Sequence, residues 1–227
     1  MKLYIVPTPI GNLQDITLRA LEVLRGVDFI LAEDTRQTSK LLKHYQLHKT
    51  LYPYHKFNEH KSSVSIIQKL KAGASGALVS DGGTPCISDP GLKLVQLCIS
   101  EGISVETLPG ATALIPALIN SGFDIGEFHF MGFLPHKKGR QTALRRIAEM
   151  PYTVILYESP HRILKLLQEL SQHIGDTRTL SVSREISKVY EETVRDTANN
   201  LLQYFSKNTP KGEFVVVIGP LKHPQDA

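Results

Sequence analysis

The chain has 227 residues, 41% of them hydrophobic and 21% charged, with a formal net charge of +4. That length and apolar content can bury a real core and suit one large or two small α/β domains; the apolar runs are only strand-sized, which excludes a membrane-spanning helix on pattern. Only two cysteines, Cys86 and Cys98, and an opening MKLYIVPTPIG too short for a signal peptide lead to the expectation of a reduced cytoplasmic location without a structural disulfide.

Strand and helix patterns alternate along the chain. Residues 3–6 read as a strand stopped by Pro7 and Pro9, 17–24 as a helix capped by Asp15 or Thr17, and Phe29–Ala32 as a second strand. A helix over 35–45, a short strand over 51–54 and a helix over 58–71 follow, the last with Val64, Ile67 and Leu70 recurring at threes. Then come a buried strand over 77–79, a helix over Leu92–Ser100, a strand over Ser104–Thr107 and a small-residue helix over 111–120. The turn-rich segment 121–126 marks a boundary. Beyond it the pattern gives strands over 128–132, 153–157, 179–184, 191–194 and 213–218, and helices over 138–150, 161–173 and 197–206. Two α/β domains are therefore predicted, 1–120 and 123–222, and the polar tail 222–227 reads as frayed.

Ligands of open α/β sheets bind outside the carboxyl ends of the strands, so unusual strand-end loops are the places to look. Residues 80–91, SDGGTPCISDPG, pack three glycines, two prolines and five Asp, Ser or Thr side chains behind a buried strand. Glycines admit close approach and positive φ, and prolines freeze the shape, so the segment reads as a rigid arc rich in backbone donors and acceptors, more than a plain connector needs. Pro109-Gly110-Ala111-Thr112-Ala113 offers small residues at a helix start but serves equally as a simple turn. Tyr157 to Arg162 gathers an aromatic, an acid and a cation, and Glu158 can pair with Arg162. The acids of Ala32-Glu33-Asp34-Thr35-Arg36 either cap a helix or line a cleft. A basic cluster, Lys137, Lys138, Arg140, Arg145 and Arg146, suits phosphates and equally a solvated helix start.

No G-x-G-x-x-G or Walker loop is present. His44 and His48 lack a third ligand at a recognised spacing, so no metal is expected. Ser88, Ser159 and Cys86 lack a nucleophile-elbow context.

Read in order, Pro7 to Leu13, Ala32 to Arg36, residues 80–91, Leu108 to Thr112, Gly132 to Pro135, Tyr157 to Arg162 and Arg184 to Lys188 closely resemble the bacterial 16S rRNA (cytidine-2′-O)-methyltransferases of the tetrapyrrole methylase superfamily. Pro7–Asn12 stands in place of the G-x-G-P-G-D motif usual in that superfamily, which favours the ribosomal branch, and Cys86 stands where glycine is usual. The resemblance implies a two-domain α/β tetrapyrrole-methylase-like fold with mixed sheets, S-adenosyl-L-methionine held in an interdomain cleft, and a homodimer. It implies as substrate a cytidine of 16S rRNA in the small ribosomal subunit (cytidine 1402 in the usual numbering). Carried residue by residue, it implies cofactor contacts from Pro9, Asp81, Gly82, Thr84, Ile87, Ser88, Pro109, Gly110, Ala111, Thr112, Ala113, Leu156 and Tyr157. Methyl transfer to a ribose hydroxyl needs a proton acceptor. Glu33, Asp34, Glu59, Glu158 and Lys188 are candidates, with Glu158 or Glu59 preferred. RNA contacts are expected from Arg36, Lys137, Lys138, Arg140, Arg162 and Arg184. A tetrapyrrole methylase and a non-catalytic RNA-binding assembly factor are the competing readings.

Overall fold

A computed structural model describes residues 1–221; the expected frayed tail lies outside the described residues. The chain divides into two compact units between Thr112 and Ala113.

The first unit is a five-stranded parallel sheet in the order β3-β2-β4-β1-β5, built from β1 (Lys2–Ile5), β2 (Phe29–Ala32), β3 (Thr50–Pro53), β4 (Ser75–Val79) and β5 (Ser104–Thr107). Helices α1 (Leu18–Gly26) and α2 (Thr35–His44) carry the chain from β1 outward to β3, whereas α3 (Glu59–Lys71) and α4 (Leu92–Ser100) carry it back toward β5. Right-handed crossovers running in opposite directions place the two helix pairs on opposite faces. The alternation of side chains agrees. Leu3 and Ile5 pack with Ile66, Leu70, Leu94 and Cys98 of α3 and α4, while Val6, Ile30 and Ala32 pack with Ala20, Leu24 and Leu42 of α1 and α2. The caps follow the sequence. Thr17 accepts from the Ala20 amide at 3.0 Å, and Asp34 from the Arg36 amide at 2.8 Å.

In the second unit, β6 (Phe128–Phe133), β7 (Thr153–Glu158), β8 (Leu180–Arg184), β9 (Glu192–Asp196) and β10 (Phe214–Ile218) form a mixed sheet ordered β6-β7-β10-β8-β9. Among the described residues, only the β6–β7 pair of this sheet is parallel. One face carries α6 (Arg140–Glu149), α7 (Ile163–Ile174) and α8 (Ala198–Ser206), which bury Leu144, Leu166, Leu170 and Leu201 against Val154, Leu156, Val182 and Val216.

A further helix, α5 (Leu114–Ser121), packs on β8, β9 and β10. The sequence places the domain boundary after this helix; the contacts place it before. The reason is that the sheet face bearing the buried Val215 and Val217 needs an apolar cover, and Ala117 and Leu118 of α5 supply it. Arg178 is 1% exposed and fastens the unit by donating to the carbonyls of Gly219 (2.7 Å), Ile147 (2.8 Å) and Tyr152 (3.1 Å); burial pulls its guanidinium down to about 10. Cys86 and Cys98 are both free thiols. Among the described residues, no helix is long and apolar enough to cross a membrane.

Candidate functional site

In the first unit, β1 and β4 are neighbours, yet β1 leads to α1 on one face and β4 to α4 on the other. Chains that part in this way open a crevice at the carboxyl edge of a parallel sheet. The two loops flanking it are residues 6–12 and the glycine-rich residues 80–91, and they are stitched together. Thr8 and Gly83 form an antiparallel bridge with amide–carbonyl distances of 3.0 and 2.8 Å, and the Thr8 hydroxyl donates to the Ser80 carbonyl at 3.1 Å. The Thr84 hydroxyl donates to the Ala111 carbonyl at 3.0 Å, tying in the segment that follows β5. At Gly82 a Cβ would lie 3.2 Å from the Pro9 carbonyl oxygen, and at Gly110 2.7 Å from the Pro7 ring, so both glycines serve close backbone approach.

The glycine-rich loop is held in a shape with four left-handed residues: Gly83 (φ 88°), Cys86 (73°), Ser88 (69°) and Gly91 (132°). For Cys86 and Ser88 that conformation costs about 1–2 kcal/mol each, a cost that a glycine would avoid. The far end is anchored by Glu59, whose carboxylate accepts the Gly91 amide at 3.2 Å and lies 3.3 Å from the Lys93 ammonium. Asp81, Gly82, Ile87 and Ser88 stay exposed. A cleft of about 220 Å³ opens beside them, lined by Thr8, Pro9, Thr38, Lys40, Ser80 and Asp81 among others.

Two acids from the end of β2 join this edge. The Asp34 amide donates to the Asp81 carboxylate at 3.0 Å, and the Asp81 amide in turn donates to the Glu33 carboxylate. Burial, reinforced by the negative Asp81 side chain, pushes the Glu33 carboxyl above the usual carboxylate range, against the opposing pull of the Asp81 amide and His55. Asp34 goes the other way, down to about 2, because the Arg36 side chain and amide both donate to it. Thr8 lies outside the set expected from sequence; its signal was an isolated threonine between two prolines, which spacing alone does not distinguish from a turn residue.

The remaining expected residues are placed as follows. Pro109, Gly110, Ala111 and Thr112 fall in the first unit between β5 and the unit boundary; helix α5 starts only at Leu114, so these residues are loop rather than helix, and Ala113 is its cap. Leu156 and Tyr157 belong to β7 of the second unit. The Leu156 side chain is fully buried in the core, which leaves only its backbone to offer, and Tyr157 packs edge-on to Phe130 and Phe133. Glu158 is 2% exposed; one of its oxygens accepts from Arg162 and from the Ser159 amide at 2.7 and 2.8 Å, and the other is buried with no hydrogen-bond partner. Arg162 also donates to the Leu134 carbonyl at 3.2 Å. Lys188 sits between Glu185 (2.7 Å) and Glu213 (2.9 Å); burial pulls its ammonium down, but the two carboxylates win and raise it, so it holds its proton. Arg184 pairs with Glu192 at 2.8 Å.

Of the expected RNA-contacting cations, Arg36, Lys137 and Lys138 are exposed. Arg140 is a correction. It is 3% exposed, paired with Glu169 at 2.6 Å and bonded to the Pro135 carbonyl at 3.2 Å. The first turn of α6 turns this side chain inward to α7, so it braces the helix pair and does not meet solvent. Among the described residues, no group of three or more His, Cys, Asp or Glu side chains is placed to hold a metal ion.

A family model described as tetrapyrrole (corrin/porphyrin) methylases matches residues 2–202. A protein of Synechocystis sp. named ribosomal RNA small subunit methyltransferase I is 50% identical over 217 residues, covering 95% of this chain and 78% of that one. One of the same name from Haemophilus influenzae is 47% identical over 219 residues, covering 95% and 77%. Among solved structures, the uroporphyrin-III C-methyltransferase of Thermus thermophilus complexed with S-adenosyl homocysteine superposes with a TM-score of 0.66 at 18% identity, covering 96% of this chain and 97% of that one. At that identity the likeness is one of fold.

Proposed function

Because this chain belongs to the tetrapyrrole (corrin/porphyrin) methylase family, we propose that it transfers a methyl group from S-adenosyl-L-methionine to the ribose 2′-hydroxyl of a cytidine in 16S rRNA, acting on the small ribosomal subunit as a cytoplasmic homodimer. The observation that carries the reading is the likeness, over 95% of this chain, to relatives named as small-subunit rRNA methyltransferases.

The residues of the first unit fit the cofactor chemically. A zwitterionic, hydroxyl-bearing ligand asks for backbone donors and acceptors in a fixed arc, one carboxylate and small neighbours. Exposed Asp81, Gly82 and Ser88, with Thr84, Ile87, Pro9 and the stretch Pro109, Gly110, Ala111 and Thr112, supply that set. Ala113, Leu156 and Tyr157, expected from the resemblance, belong to the second unit. When bound, S-adenosylmethionine supplies an electrophilic methyl group on a sulfonium centre. What the chain must add is orientation of the acceptor hydroxyl and a place for its proton.

Glu158 and Glu59 are poor candidates for that proton, because one is locked in a buried ion pair with Arg162 and the other anchors Gly91. Lys188 keeps its own proton and serves at most as a cation. Glu33 is half-buried, hydrogen-bonded to the glycine-rich loop and more basic than an ordinary carboxylate, and the proposal assigns the acceptor role to it. Lys137 and Lys138 are the proposed phosphate contacts; Arg36, Arg162 and Arg184 contribute only what their carboxylate partners Asp34, Glu158 and Glu192 leave free.

The test offers purified protein and S-adenosylmethionine three acceptors in parallel: small ribosomal subunits, naked 16S rRNA and a reduced tetrapyrrole. Release of S-adenosyl homocysteine with ribosomal RNA alone supports the reading. Turnover on the tetrapyrrole overturns it in favour of small-molecule methylation, and no turnover with any acceptor favours a non-catalytic role.

A further inference from the structure

At the carboxyl edge of the first unit's sheet, one aromatic ring is displayed to solvent. Phe57 follows β3 and is 96% exposed. Its turn is braced on several sides. The Asn58 side chain accepts from the His55 amide at 2.8 Å and donates to the Pro53 carbonyl at 2.9 Å, while the Glu59 amide donates to the His55 carbonyl at 3.0 Å. The His55 ring stands roughly edge-on, with centroids 6.1 Å apart and planes at 62°. Beyond its edge contact with His55 the phenyl ring stays in water, so an ordered turn leaves its apolar face free for a partner to cover.

The surrounding charge says which kind of partner. Residues 35–58 contain no Asp or Glu, but carry Arg36, Lys40, Lys43, Lys49, Lys56 and three histidines. Arg36 is exposed at the start of α2, with the part of its guanidinium that Asp34 (2.6 Å) leaves free, Lys40 lines the same cleft as Pro9, Ser80 and Asp81, and Lys56 adjoins the ring. A second copy of this chain would bring like charges face to face, at a cost. A single-stranded nucleic acid offers what the surface lacks, a π-face for the ring and phosphates for the cations. Position agrees as well. β3 and β4 are two strands apart in one sheet, about 10 Å, and their carboxyl ends are level, since Pro53 pairs with Ala32 and Ala32 with Val79.

We propose that Phe57 stacks on a base of single-stranded RNA beside the methylated nucleotide, with Arg36, Lys40 and Lys56 taking the adjacent phosphates. The inference rests on the RNA-methyltransferase reading and adds to it a base-stacking contact on the first unit. Unpaired bases splayed onto aromatic side chains are the common way in which proteins hold RNA outside a helix.

The test compares the full chain with Phe57→Ala and Phe57→Trp. Affinity for ribosomal RNA is measured by filter binding, S-adenosylmethionine affinity by calorimetry, self-association by sedimentation and melting by scanning fluorimetry. Stacking is worth about 1–3 kcal/mol per base, so Phe57→Ala should weaken RNA binding about 5- to 150-fold. Phe57→Trp should restore it, and cofactor affinity, oligomeric state and melting temperature should not move. Wild-type RNA affinity in Phe57→Ala, alongside a wild-type protein that methylates RNA, overturns the stacking and leaves the methyltransferase reading intact. Loss of self-association in Phe57→Ala assigns the ring to a second copy of the chain, and a fall in melting temperature assigns it a structural role; either overturns the proposal. A wild-type protein that neither binds nor methylates RNA overturns the underlying reading and this inference with it.

Discussion

Glu33 and Arg140 show how a side chain's surroundings, more than its type, decide its role. Glu33 is an acid made more basic by burial and by Asp81. A base must be unprotonated to act, and a raised folded-state value moves that requirement upward in pH. Turnover should therefore climb with pH through a limb lying above the ordinary carboxylate range. Glu33→Gln should lower kcat about 10²- to 10⁴-fold, remove that limb and leave cofactor affinity unchanged in calorimetry; a retained limb would assign the acceptor elsewhere. Arg140 shares a sequence cluster with Lys137 and Lys138 but not their exposure. Arg140→Ala removes a buried guanidinium and leaves half-buried Glu169 without its partner, and should cost about 3–5 kcal/mol in denaturant unfolding. Lys137→Glu with Lys138→Glu should leave stability alone and weaken RNA binding, with a shallower dependence on salt. The basic run was legible in the sequence; which of its members turns inward was not, because that depends on Glu169, a residue 29 positions away.

At the scale of elements, the site is a loop made rigid by its neighbours. Thr8→Val keeps the shape of the side chain but takes the donor from the buried Ser80 carbonyl. It should destabilise the chain by about 1–3 kcal/mol and weaken S-adenosylmethionine binding, while Thr8→Ser should retain both; equal affinity in all three would mean that the Thr8–Gly83 bridge alone sets the loop. Much of this level was readable in advance. The strands Phe29–Ala32 and Ser104–Thr107 and the helix Leu92–Ser100 have the bounds their apolar patterns predict, since each is bracketed by turn residues or charges. Helix α5 was harder. Ala111 and Thr112 are good company for a helix, but the Ala111 carbonyl is engaged by the Thr84 hydroxyl, and helical structure begins at Leu114. Nor does an apolar helix carry a label for the sheet it will cover, so its membership of the second unit became visible only in the packing.

For the molecule as a whole, two sheets of different construction divide the work. The doubly wound parallel sheet of the first unit gathers the glycine-rich loop, Thr8, Glu33 and Asp81 at one edge because β1 and β4 part there. The mixed sheet of the second unit carries Tyr157, the Glu158–Arg162 pair and the exposed Lys137 and Lys138. The order of strand-end strings made the family legible, whereas composition alone left residues 80–91 a rigid loop of unknown ligand. The most direct measurement is methyl transfer from labelled S-adenosylmethionine to small ribosomal subunits taken from a strain that lacks this activity, followed by mapping of the modified nucleotide. The account predicts label in 16S rRNA on the ribose of a single cytidine; label on a base, or none in RNA, would contradict it.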